Sequence, residues 1–381
     1  MTPTLCCMDI FVASSNLKPS RNHELGFVLF VNRNLHQSLV YIPGNSSMTS
    51  SEVMNPENTS NEISTNIFHI AGITTVIHGL NEVKKTCKSV SCLWLLHPRL
   101  QTKETMEPLA KRFISNWNSQ PLSGIIGLIA ASFDQRNHGS REVDPSANLS
   151  WRKGNDKHSI DMFSILHGTA IDASLLMEHI SSYVSLGFKL PEINHHLVIG
   201  ISLGGHSAWQ VLLNEEKVSG GIVIIGCPDY LSLMSDRAQR SGRESYGAGF
   251  LGSSDFPYSL FRVVQLRDPK GIFFGAHKVP TDPSEADRNK YRIILEKKLK
   301  NKHILVCSGE DDKLVPYGCS EPFLKFLESA SNGWYNDGNF HLQNKTYPGV
   351  GHTCTDEMER DSVLFLTKHL NSVAGKISPK V

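Results

Sequence analysis

From residue 90 onward, short unbroken apolar runs alternate with amphipathic stretches. VSCLWLLH (90–97), GIIGLIAASF (124–133), HLVIGIS (196–202), GGIVIIGC (220–227) and HILVCSG (303–309) lack a polar face, as expected of strands buried on both sides. FHLQNKTYP (340–348) reads as the last strand. Between them, residues 103–117 place Met106, Leu109, Ala110, Phe113 and Trp117 on one helical face. Ala170, Leu175, Leu176, Ile180 and Val184 recur near helical spacing in a second helix over 168–186, and further helices are expected over 203–213 and 355–373. This alternation predicts an α/β fold: a parallel sheet with helices on both faces.

The ends of that pattern divide the chain. Residues 27–43 read as a hairpin, the Ser/Asn/Thr/Glu-rich stretch 44–66 as a mobile loop, and 67–79 as one more strand. The polar interruption 228–300 reads as an inserted cap, with helices over 287–300 and part of 230–240. The expected organisation is an N-terminal hairpin and loop (1–66), a core from 67–227 and 301–375, and the cap between its halves.

Composition narrows the partners. The 381 residues are 40% hydrophobic and 20% charged, with a net charge of +1 from 38 basic and 37 acidic side chains. Nucleic acid is therefore not an expected partner. The eight cysteines are scattered without a C-x-x-C pair, which suits reduced thiols in a cytoplasmic protein. The N-terminus lacks a basic segment before its apolar stretch, so no signal peptide is expected. No run of 18 apolar residues occurs, and stable membrane insertion is not expected. The sequons at Asn45, Asn58, Asn148 and Asn344 would matter only in a secreted chain.

Candidate chemistry is concentrated at Gly200-Ile201-Ser202-Leu203-Gly204, between an expected strand and an expected helix. G-x-S-x-G in that setting is the pattern of a nucleophile elbow. So sharp a turn strains the serine backbone and leaves no room for side chains two residues away on either side. It lifts the serine hydroxyl clear of the sheet and directs the first N–H groups of the helix at a developing oxyanion. A serine needs a base, and the base an orienting acid, in the chain order Ser, Asp or Glu, His. Glu310, Asp311 and Asp312 follow the strand 303–309, and His352 follows the strand 340–348 after two glycines. Leu203 N–H would be one oxyanion donor. Gly247, Gly249 and Gly252 match G-x-G-x-x-G, but no strand precedes them and no dinucleotide site is expected.

Asp134-Gln135-Arg136-Asn137-His138-Gly139 resembles the D-x-R-G-H-G loop of the α/β-hydrolase superfamily, with Asn137 in place of a glycine. This loop, the elbow, the acidic turn and the histidine loop occur in the family's order, and the resemblance covers about residues 67–375. More narrowly, HPRLQT, DQRNHGSR, GISLGGH and GCPDY are similar to fungal proteins of this fold with unassigned substrates. The resemblance implies an eight-stranded, mostly parallel sheet and no cofactor. G-x-x-D-x-x-V-P resembles the family's acid loop and favours Asp312 over Asp311 and Glu310. It also implies that the second oxyanion donor follows the strand ending at His97. Pro98 stands where many relatives have glycine, so Arg99 N–H is the candidate, ahead of a rival at His78-Gly79. Asp134, Arg136 and His138 read as structural, with an Arg–carboxylate pair holding their loop, rather than as a metal site. Trp151, Met162 and Phe163 read as loop residues able to line a pocket or to pack.

The expected function is therefore a serine hydrolase acting on a small-molecule carboxylic ester or thioester through Ser202, His352 and Asp312 and an acyl-enzyme. Alternatives are a small exopeptidase or amidase of the same fold, or a non-catalytic ligand-binding protein that keeps the three residues. Large peptidases of this fold carry more chain before the core than the 66 residues found here.

Overall fold

A computed structural model describes residues 62–377 of the chain. The apolar runs pair into one eight-stranded sheet: β1 (Thr65–Ile70), β2 (Ile73–His78), β3 (Ser89–Leu96), β4 (Ile126–Phe133), β5 (Ile193–Ile201), β6 (Val218–Ile224), β7 (His303–Gly309) and β8 (His341–Tyr347). Their order is β1-β2-β4-β3-β5-β6-β7-β8. β2 runs antiparallel to both β1 and β4, and every other pair is parallel. The expected mostly parallel sheet is present, with helices on both faces.

Alternation along the central strands explains why those runs have no polar face. Leu93 and Leu95 of β3, with Leu197 and Ile199 of β5, pack with α1 (Glu107–Asn118) and α9 (Asp356–Ile377). Their neighbours Cys92, Trp94, Leu96 and Val198 point to the other face, among α2 (His158–Phe188), α3 (Leu203–Asn214) and α8 (Tyr317–Ser329). A strand covered on both sides has no position at which a polar side chain would reach water.

Four expectations change. The single strand over 67–79 is a hairpin: Ala71 and Gly72, at φ 50 and 77, form a two-residue turn between β1 and β2. The hairpin over 27–43 and most of the loop 44–66 lie outside the described residues, and the loop's last residues are structured, with Ser64 bonded to Glu82 and Thr65 opening β1. α2 begins ten residues earlier than expected. Ser159, Met162, Phe163 and Leu166 bury one side of its first turns, so Met162 and Phe163 are helical rather than in a loop. Between β6 and β7 there are four helices rather than two: α4 (Tyr230–Arg240), α5 (Tyr258–Arg267), α6 (Pro269–Phe274) and α7 (Glu285–Lys298). Phe273, Phe274, Leu295 and Leu299 join the helical layer on the sheet, whereas Tyr230, Met234, Phe256 and Phe261 pack with Leu203 and the start of α2.

Among the described residues, α2 is the one helix long and apolar enough to cross a membrane. Its Ala173, Leu176, Ile180 and Val184 are fully buried in the core instead.

Candidate active site

Ser202 joins β5 to α3 at φ 56, ψ −112, a backbone conformation that residues with a side chain rarely adopt. The flanking glycines permit it. A Cβ on Gly200 would sit 2.0 Å from the Gly204 carbonyl oxygen, as the crowded turn requires. A Cβ on Gly204 would sit 2.0 Å from the Leu96 carbonyl oxygen, so this glycine is needed against β3 rather than within the elbow. Gly204→Ala is expected to cost about 3 kcal/mol or more, because rigid backbone must move to accept the methyl. Urea unfolding measures this, and a loss below about 1 kcal/mol would contradict the close packing.

The acid and the base come from two loops that are held together. Gly309 ends β7 so close to the next loop that a Cβ would meet the Val350 carbonyl at 2.3 Å. Asp311 N–H donates to that carbonyl at 3.0 Å, and Glu310 N–H donates to the Tyr347 carbonyl at 3.1 Å. Asp312 is thereby turned inward. Its Oδ1 accepts from Leu314 N–H at 2.8 Å and Val315 N–H at 2.9 Å, and its Oδ2 accepts from His352 Nδ1 at 2.7 Å. Across the ring, Ser202 Oγ lies 2.7 Å from His352 Nε2. With Nδ1–H donating to a carboxylate, Nε2 is left to accept the serine proton. Burial of Asp312 opposes its ionisation, but the bonds from His352, Val315 and Leu314 more than offset this and hold its pKa below the usual value. Asp311 and Glu310 are exposed, and Glu310 accepts from Thr346.

The close approach of Gly204 to Leu96 also sets the start of α3 beside the loop after β3. His97 is buried there, and burial lowers its pKa to about 4. Its Nδ1–H donates to the Pro98 carbonyl, and Nε2 accepts from Gln135 N–H at 2.9 Å. Gln135 Oε1 in turn accepts from Ser207 of α3 at 3.0 Å. One glutamine therefore ties the loops after β3 and β4 to α3. Arg99 lines the same cavity as Ser202, Leu203 and His352. The rival His78 bonds Thr65 Oγ1 at the end of β2 and does not line that cavity.

The loop after β4 is a scaffold beside the site. Asp134 accepts four bonds, from the backbone and side-chain nitrogens of Lys103 and the backbone and hydroxyl of Ser140. Arg136 forks onto Asp172 at 3.0 and 2.9 Å, and Asn137 takes the left-handed conformation at φ 58. Burial disfavours the Asp134 anion, yet those bonds bring its pKa down to about 2. The unfolded chain takes up this proton near 3.8, while the folded chain does so only near 2. The stability it contributes is therefore complete above the unfolded value and is lost as pH falls through that window. Asp134→Asn is expected to cost about 3 kcal/mol at neutral pH, since it leaves buried Lys103 without this partner. Urea midpoints of the variant should also flatten between pH 4 and 2; an unchanged slope would remove Asp134 from the acid response.

Above Ser202 lies a cavity of about 310 Å³. Trp151 and Met162 line it, while Phe163 is buried with Tyr230, ring centroids 4.8 Å apart. Sequence reasoning passed over His158, His206 and Arg237, which also line it. His206 lies one helical turn after Ser202, with Nδ1 2.9 Å from Cys227 N–H, and burial lowers its pKa to about 3. Its i+4 spacing from the serine was a usable signal; Arg237, inside the insertion, had none.

The sheet order, the two antiparallel contacts of β2, and the elbow after β5 are together diagnostic of an architecture. The chain has the α/β-hydrolase fold. It is similar to TT1662 from Thermus thermophilus, with 18% identity and a TM-score of 0.48 over 81% of this chain and 98% of that one. Similarity extends to an S-formylglutathione hydrolase from Agrobacterium tumefaciens (13%, 0.44, over 83% and 95%) and to a Pyrococcus furiosus esterase (13%, 0.42, over 81% and 92%). No protein-family model matches the chain, and no curated protein matches it. Likeness at this level says nothing of a substrate.

Proposed function

We propose that this α/β-hydrolase-fold chain is a serine hydrolase that cleaves a small carboxylic ester or thioester through an acyl-enzyme. The observation that carries the reading is the unbroken relay from Ser202 Oγ to His352 Nε2 and from His352 Nδ1 to Asp312, both bonds 2.7 Å long. Ser202 attacks the acyl carbonyl as His352 takes its proton, and Asp312 orients and stabilises the imidazolium. The N–H groups of Leu203 and Arg99 bind the oxyanion. His352 then returns the proton to the leaving group, and water repeats the sequence on the acyl-enzyme. Six free cysteines among the described residues support a reducing compartment, so a cytoplasmic location belongs to the same proposal.

The test is labelling of the purified protein with a fluorophosphonate. Labelling that disappears in both Ser202→Ala and His352→Ala is the expected result. A folded protein that does not label would overturn the hydrolase reading and favour a ligand-binding role.

A further inference from the structure

The cavity over Ser202 is lined by five basic side chains, Arg99, Arg152, Lys153, Arg237 and Arg240, and by no carboxylate. Arg240 is paired with Asp236. Arg99 and Arg237 have no ion-pair partner among the described residues. Arg99 donates to the Asn148 carbonyl at 3.3 Å. Arg237 donates to the Leu314 carbonyl at 3.2 Å, to Met162 Sδ at 3.0 Å and to His158 Nε2 at 3.3 Å. His158 is locked as a neutral acceptor, because its Nδ1–H donates to the Leu149 carbonyl at 2.9 Å.

Every named partner of the two guanidiniums is therefore neutral. Arginine cannot shed its charge as a buried lysine can, and a desolvated cation without a counter-ion is costly. Burial and the neighbouring Arg99 lower even the Arg237 pKa, to about 10. Its bonds nevertheless hold it in a defined pose. Leu314, whose carbonyl anchors Arg237, is the residue whose N–H anchors Asp312, so the cation is built onto the acid loop itself. A planar fork fixed beside a nucleophile suits an oxyanion on the substrate.

Resting on the hydrolase reading, we infer that the substrate carries an anionic group, a carboxylate or a phosphate, which Arg237 and Arg99 bind while its ester or thioester carbonyl meets Ser202. The charge that the protein's own side chains leave unpaired is then matched by the ligand.

Binding to the Ser202→Ala protein tests this without turnover, using monoethyl glutarate, its neutral counterpart diethyl glutarate, and monobutyl phosphate. At least one of the two anions is expected to bind ten-fold or more tighter than the diester, as charge-assisted bonds require. The stronger of the two anions identifies the group as carboxylate or phosphate. Adding Arg237→Gln or Arg99→Gln should bring the ratio of anion to diester toward one, with Arg237→Lys keeping part of it. Circular dichroism checks that each variant is folded, and Arg99, on a loop, serves if Arg237→Gln is not. A diester bound as well as both anions, or a preference that survives both glutamine variants, would overturn the anion site. No anion preference in the Ser202→Ala protein with both arginines present, beside fluorophosphonate labelling of Ser202 in the parent, sinks the anion site alone; that preference beside absent labelling of the parent sinks the hydrolase reading alone.

Discussion

Ser202→Ala is expected to lower kcat on ester substrates by a factor on the order of 10⁶, close to everything the relay contributes. The expectation follows from the division of labour. In the proposed mechanism His352 moves the protons and Asp312 only orients it and stabilises its charged form, so without the hydroxyl there is no acyl-enzyme for them to form or resolve. The oxyanion donors and the binding cavity remain, and a residual rate above that of water, by about 10³-fold, is expected from them. Alanine at 202 meets the same backbone strain as serine, at φ 56, and its Cβ occupies the same space. Stability should thus change by less than about 1 kcal/mol. Steady-state hydrolysis of a p-nitrophenyl ester beside a urea titration reads both. Activity within ten-fold of the parent would remove Ser202 from the chemistry.

The second large effect is expected at Asp312. Asp312→Asn should reduce kcat by about 10⁴ while the protein stays folded. The asparagine oxygen can still accept from Leu314 and Val315, as Asp312 Oδ1 does at 2.8 and 2.9 Å, so the turn is kept. The other side of the group then presents an NH2 donor to His352 Nδ1. The imidazole responds by carrying its proton on Nε2, where Ser202 needs an acceptor. The acid's role is thus tested through the tautomer of its neighbour rather than through loss of a charge alone. Asp311→Asn and Glu310→Gln, on exposed side chains outside the relay, should stay within a few-fold of the parent. A larger loss in either than in Asp312→Asn would reassign the acid.

These two expectations differ in what made them visible. The serine stood out in the sequence because its constraint is local: strand, sharp turn and helix are contiguous, and the glycines that permit the turn lie within two residues. The histidine and the acid were each legible as positions after a late strand. The choice of Asp312 over Asp311 and Glu310 rested on spacing resemblance, and in the structure it comes down to loop geometry. Asp311 N–H is spent on the Val350 carbonyl, and Gly309 allows that approach, which rotates the next residue inward.

Other features were readable only in part. The first ten residues of α2 carry a helical pattern in HSIDMFSILH, yet polar residues dilute it, and what buries Ser159, Met162 and Phe163 is a layer contributed by residues 230–261. Asn137, which stands in place of a glycine, takes φ 58, and its tolerance of that conformation is a property of the residue itself. Ala71-Gly72 was missed because alanine rarely turns a hairpin, and its cost there is met by the pairing of β1 with β2.

By itself, then, the sequence determined the features that depend on neighbours along the chain. These are the doubly buried strands, the alternating helices, the elbow at Ser202 and the late positions of Asp312 and His352. Only the tertiary structure decided which groups from distant segments meet. It joined Ser202 to His352 across 150 residues at 2.7 Å and brought Arg99 and Arg237 to one cavity with only neutral partners. The physical reason is that periodicity and turn chemistry act over a few bonds, whereas electrostatic complementarity in a site is a matter of through-space distance, which the packing of the sheet, its loops and the insertion together sets.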